Sequence, residues 1–223
     1  MKLESNGILI GLRPFDERNS IAHIFTRDYG VLCGMLKGAT VARKNKPLIG
    51  QIGAASWNAR LDSQLGVFHW EASRNLAAPL MSNPESLRIM NSAFALIAAL
   101  LPEREKYEII YDKTIELLSG LGNISSPPTE GNSSQLYLSW EVELLKGLGY
   151  ALDLSKCSNC GCGENLRHLS PRTGRAVCDE CAEPYLDRLY PLPLTLCVIR
   201  KFLERACEQQ GIVLPAARNM NVK

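Results

Sequence analysis

Two cysteine couples, Cys157-Ser-Asn-Cys160 and Cys178-Asp-Glu-Cys181, stand seventeen residues apart. A Cys-x-x-Cys couple lets two thiolates reach one ion, and two couples at this separation have the spacing of a four-cysteine zinc site. Gly161 follows the first couple, where the backbone must turn tightly around an ion. Four thiolates complete a tetrahedron and leave no open position for water or substrate, so a single Zn2+ held here is structural rather than catalytic. A pair of disulfides and four unrelated buried thiols are the alternatives. Cys162 and His168 are near enough in sequence to replace one ligand, whereas Cys33, Cys197 and Cys207 sit among apolar neighbours and read as small buried hydrophobes.

Compartment bears on that choice. Arg13 and Asp16 interrupt the apolar stretch near the start, which argues against a secretory signal, and the apolar run from Ala93 to Leu101 is far short of a membrane span. The expectation is a soluble cytoplasmic protein, whose thiols stay reduced, so that paired Cys-x-x-Cys means metal or redox chemistry. A thioredoxin-like motif would place one couple at the start of a helix in a βαβ setting; here there are two, in a loop-rich stretch.

The formal charge of +2 conceals segregation. Residues 1–80 carry ten Lys/Arg against six Asp/Glu, residues 81–156 six against ten, and residues 157–223 nine against seven. A basic N-terminal module joined to an acidic middle suits a nucleic-acid-facing surface beside a different one, although solvated faces also vary this much. The N-terminal third reads as β, with short apolar or alternating runs over 7–12, 20–26, 31–36, 51–59 and 65–70. Asp28-Tyr29-Gly30 and Asp62-Ser63-Gln64 supply turns. Five short strands with internal glycines suggest a small OB-type barrel.

Beyond Pro84 the period becomes helical over 85–101, 103–121, 134–148 and 194–209. Asn83-Pro84-Glu85 has the form of a capped start and Gly149 that of a stop, while 123–132 is a polar loop and the last residues a short polar tail. The expected fold is α+β: a five-stranded OB-type β-barrel, then an α-helical domain carrying a small four-cysteine zinc insert. Its boundaries are 1–80 for the barrel, 81–156 for the first helical part, 157–185 for the insert and 186–223 for the last helical part.

The opening Gly7-Ile8-Leu9-Ile10, Arg13-Pro14-Phe15-Asp16-Glu17, Thr26-Arg27-Asp28-Tyr29-Gly30 and Lys37-Gly38-Ala39 resembles that of the RecO family of bacterial recombination mediators. The likeness continues through Leu148-Gly149-Tyr150, Leu152, Leu154 and Cys157-Ser-Asn-Cys160-Gly161 to Ser170-Pro171-Arg172-Thr173-Gly174 and Ala176-Val177-Cys178. It implies an N-terminal OB domain, a helical remainder, and a protein of the RecF pathway of DNA repair. Such a protein binds single- and double-stranded DNA, anneals complementary strands, and works with RecR and single-strand-binding protein to load RecA. It would do so without hydrolysing a nucleotide, and the chain has no Gly-x-x-x-x-Gly-Lys-[Ser/Thr] loop. Some members lack the cysteines, which implies that zinc holds the insert together and takes no part in DNA chemistry.

Lys37, Arg43, Lys44 and Lys46 fall within ten residues free of acids, where an OB fold can extend a loop over its nucleic-acid groove. They are the first candidates for phosphate contact, with Arg60 and Arg13 second; a solvated loop is the plainer reading. Trp57, Phe68 and Trp70 could stack bases, but Phe68 and Trp70 share one strand face and become core if it points inward. Trp140 reads as helix packing. The family's contact with the acidic C-terminal peptide of the single-strand-binding protein implies an apolar pocket with a basic rim; Arg104, Lys106 and Lys113 could belong to it or to a salt-bridged helix surface. Two alternatives remain, a zinc-ribbon transcription or translation factor and a zinc deaminase. The deaminase would use His69-Trp70-Glu71, yet neither cysteine couple follows a proline.

Overall fold

A computed structural model describes residues 1–41, 46–60, 65–123, 132–150 and 152–219. These group into two compact units, one formed by Met1–Leu136 with the segment beginning at Pro215, the other by Tyr137–Leu214. Among the described residues no helix is long and apolar enough to cross a membrane.

The first unit opens with strands β1 (Lys2–Pro14), β2 (Ser20–Thr26), β3 (Gly30–Leu36), β4 (Gln51–Asn58) and β5 (Gly66–Asn75). They hydrogen-bond in the order β1-β2-β3-β5-β4 and close on themselves, with every pair antiparallel except the short parallel contact of β3 with β5. This is the OB arrangement. Strand alternation puts Leu9, Ala22, Ile24, Leu32, Leu36, Ala55, Trp57 and Phe68 inside, so the barrel is filled and holds no channel. Trp57 and Phe68 are core, and Trp70 packs partly buried against the same cluster, which removes the first two as stacking surfaces. Residues 61–64, which include the second expected turn, lie outside the described residues.

Helix α1 (Pro84–Leu100) starts where the sequence indicates: the Asn83 side chain accepts the N–H groups of Glu85 at 3.0 Å and Ser86 at 3.3 Å. Its apolar face buries Ile89, Ala93, Phe94, Leu96, Ile97 and Leu100, and the helix packs against β1. Helix α2 spans Glu108–Gly122 and does not begin at Glu103 as its periodicity suggests. Glu103 instead bridges to Val31, and the Arg104 N–H donates to the Val31 carbonyl at 3.0 Å, so these backbone groups are committed to the edge of β3. The chain's end also departs from a polar tail: a one-turn helix at Ala216–Asn219 packs on α1 with Arg218 wholly buried.

Helix α3 (Asn132–Gly147) leads into the second unit, where Tyr137 and Trp140 stack at 5.9 Å. Gly149, at φ +88°, stops it just beyond its last turn, and the Tyr150 N–H returns to the Leu145 carbonyl at 2.8 Å. The cysteine region is more regular than a loop. Strands β6 (Leu166–Leu169), β7 (Ala176–Cys178) and β8 (Tyr190–Pro191) form a sheet in the order β7-β6-β8, with the one-turn helix α4 (Asp179–Ala182) directly after β7. Helix α5 (Leu196–Gln209), capped by Thr195, buries Val198, Ile199, Phe202, Leu203, Ala206 and Cys207. Of the three cysteines expected to be buried, only Cys207 is; Cys33 is half-buried and Cys197 exposed, because Cys197 falls on the polar side of α5.

Candidate metal centre and nucleic-acid interface

The metal centre is built from two turns. The Gly161 N–H donates to the Cys157 carbonyl at 3.0 Å with Gly161 at φ +76°, and the Cys157 N–H donates to the Cys162 carbonyl at 2.7 Å. This knuckle presents Cys157 and Cys160; Cys178 closes β7 and Cys181 lies on α4. The four Sγ atoms lie within 4.8 Å of one another, and Cys160 and Cys178 are 3.7 Å apart. A tetrahedron with Zn–S bonds of about 2.3 Å has edges of about 3.8 Å, so the set fits a zinc ion.

The surrounding hydrogen bonds favour thiolates. The Asn159 N–H points at Cys157 Sγ at 3.5 Å, and its side-chain amide at Cys181 Sγ at 3.3 Å. The backbone N–H groups of Cys160 and then Cys178 hold the Cys157 thiol down to about 6. Cys162 is a neighbour rather than a member: it stands outside the set of four whose Sγ atoms converge, and it donates to the Glu164 carbonyl at 3.6 Å. His168 is likewise engaged elsewhere, 3.1 Å from Asp179 Oδ1.

The basic residues of the barrel divide. Arg13 ends β1 and Lys37 follows β3; both are exposed, and the register Arg13↔Ile21↔Met35 puts them at one end of the barrel. Arg60 is exposed at the other end of β1, beside the reciprocal bonds between Met1 and Ala59. Lys46 is exposed before β4, and Arg43 and Lys44 lie outside the described residues. His69 and Glu71, the deaminase half-motif, pair with each other at 3.1 Å on the exposed side of β5 and take no part in the cysteine cluster.

One interaction invisible in the sequence fastens α2 to β2. Arg27 forks onto Asp112 at 3.1 and 3.0 Å and reaches Glu108 at 2.6 Å, while Phe25 meets Tyr111 edge-on at 5.6 Å. The Arg104 guanidinium lies 4.8 Å over the Trp57 ring, Lys106 pairs with Glu108 at 2.9 Å and Lys113 with Glu116 at 2.6 Å. All three cations therefore have partners on the unit's own surface. In the second unit a cavity of about 250 Å³ has Phe202, Leu152 and Pro171 in its lining, with Arg172 and Arg205 exposed around it.

Residues 1–70 match the family model described as recombination protein O N terminal, and residues 81–215 the one described as recombination protein O C terminal. The chain belongs to the RecO family. Proteins named DNA repair protein RecO are similar along most of its length. That of Dinoroseobacter shibae is 40% identical over 191 residues, covering 84% of this chain and 76% of the relative. That of Rhodospirillum centenum is 38% identical over 197 residues, covering 86% and 76%, and that of Ruegeria sp. 37% over 196, covering 86% and 78%. The N-terminal RecO match falls on the barrel strands, and the C-terminal RecO match holds the helices and the cysteine module.

Proposed function

We propose that this protein is a non-enzymatic recombination mediator of DNA repair. It binds single- and double-stranded DNA through the barrel, anneals complementary strands, and with RecR helps to load RecA onto DNA covered by single-strand-binding protein in the bacterial cytoplasm. The observation that carries this reading is the barrel itself. Its interior is filled, so it encloses no small-molecule site, and Arg13, Lys37 and Lys46 stand exposed on its surface in a chain of the RecO family. Arg43, Lys44 and Arg60 complete the basic set to which we assign phosphate contact. Such contacts gain affinity through counterion release, with steep salt dependence and little sequence preference.

The four cysteines hold one structural Zn2+ that keeps β6, β7 and α4 together. The cavity beside Phe202 suits the acidic C-terminal peptide of the single-strand-binding protein, because Leu152, Pro171 and Phe202 beside Arg172 and Arg205 match an apolar side chain next to carboxylates.

Fluorescence anisotropy on a mixed-sequence single strand at two salt concentrations tests the central claim. Wild type should bind with a steep salt slope, and the variant with Lys37, Arg43, Lys44 and Lys46 all changed to Glu should lose affinity and slope together. A wild-type protein that does not bind at low salt overturns the mediator reading. A folded variant that binds normally overturns only the site.

A further inference from the structure

Phe15 lies in the turn between β1 and β2 and is 63% exposed, the only Phe, Tyr or Trp more than half exposed among the described residues of the barrel. Its backbone is tightly held. Asp16 Oδ1 accepts the N–H groups of Arg18 at 2.8 Å and Asn19 at 2.7 Å, and Asn19 Nδ2 donates to Asp16 Oδ2 at 2.8 Å. The Phe15 N–H itself donates to the Asn19 carbonyl at 2.9 Å.

The chain after β3 is stitched to this turn. The Gly38 N–H donates to Asn19 Oδ1 at 3.1 Å, the Thr40 N–H to the Arg18 carbonyl at 3.2 Å, and Thr40 Oγ1 to the Asn19 carbonyl at 3.3 Å. Residues 15–19 and 37–40 therefore form one hydrogen-bonded end of the barrel, on which Arg13, Arg18 and Lys37 are exposed together with the acids Asp16 and Glu17. The carboxylate of Asp16 is turned onto backbone N–H groups. Meanwhile the outer face of β2 and β3, a usual OB binding face, is partly covered: Tyr111 lies on Phe25, Asp112 on Arg27, and Glu103 along Val31.

We infer that Phe15 is a stacking platform for an unpaired base of single-stranded nucleic acid, with Arg13, Arg18 and Lys37 on the flanking phosphates. The inference rests on the DNA-binding reading above and adds to it the residue that separates single strands from duplex. A ring on a pinned turn loses little freedom when a base settles on it, and stacking of this kind is indifferent to sequence.

The test compares wild type, Phe15→Ala and Phe15→Trp on oligo(dT), on the same strand lacking its bases, and on duplex DNA. Phe15→Ala should weaken oligo(dT) binding by roughly 5- to 100-fold with the salt slope unchanged, and Phe15→Trp should restore it. On the abasic strand and the duplex all three should bind alike. Glu17→Gln should tighten every substrate and steepen no base dependence. Wild-type affinity for oligo(dT) in Phe15→Ala overturns the stacking role alone, as does an equal loss on the abasic strand. Failure of wild type to bind oligo(dT) at low salt overturns this inference together with the reading beneath it.

Discussion

The carbonyl oxygen of Glu105 stands 1.8 Å from the point that a β-carbon on Gly30 would occupy, and Gly30 sits at φ +64°. The β2–β3 turn is thus nested against the segment that leads into α2, an approach only a residue without a side chain allows. Gly30→Ala should destabilise the first unit by about 2–3 kcal/mol, read as a lower urea midpoint at unchanged slope. An unchanged midpoint would mean that the segment 101–107 does not rest on this turn.

Zinc is expected to be a fold element. Cys157→Ser and Cys178→Ser should purify without zinc and melt at lower temperature, while the affinity for single-stranded DNA, corrected for the folded fraction, stays within about twofold. Metal analysis beside calorimetry checks this, and equal thermal stability after zinc loss would remove the structural role.

Acidification should weaken the barrel through His23. Burial pushes its pKa below the ordinary 6.5, opposed by Glu103 and assisted by Arg13. The cross-strand Cys33 thiol is itself pushed up by burial. The unfolded chain therefore takes up a proton that the folded chain resists. Stability is full above about pH 6.5 and declines as pH falls below it. His23→Gln should flatten the melting temperature between pH 7 and pH 5 (about one unit either side of 6); an unchanged slope would assign the acid sensitivity to another group.

The cavity of the second unit yields a separate expectation. Arg205 donates to the Pro171 carbonyl at 2.6 Å, which holds its guanidinium beside Arg172 and Phe202. Arg172→Glu and Arg205→Glu should each weaken an acidic peptide with an apolar C-terminal residue by about tenfold or more, measured by anisotropy, whereas Arg188→Glu, away from the cavity, should not. Equal binding in all three variants would place the peptide elsewhere.

Much of this protein is legible before any coordinates. Short apolar or alternating runs mark all five barrel strands, because a filled barrel needs the inward face of each strand apolar. Asn83 and Gly149 mark helix ends by local hydrogen bonding that the residue types themselves supply. The Cys-x-x-Cys spacing of each couple likewise marks in advance the four residues whose Sγ atoms converge.

What the tertiary structure decided depends on residues far apart in the chain. Whether Trp57 faces a base or the core turns on closure of β3 against β5, a pairing that no local pattern encodes. The start of α2 moved because Glu103 and Arg104 found backbone partners on β3. Arg27 became a latch through carboxylates some eighty residues away, and Phe15, given no separate role by the sequence, is the one Phe, Tyr or Trp more than half exposed among the described residues of the barrel. Sequence determines which groups can bond locally and which faces must be buried; only packing determines which surface is left for a partner.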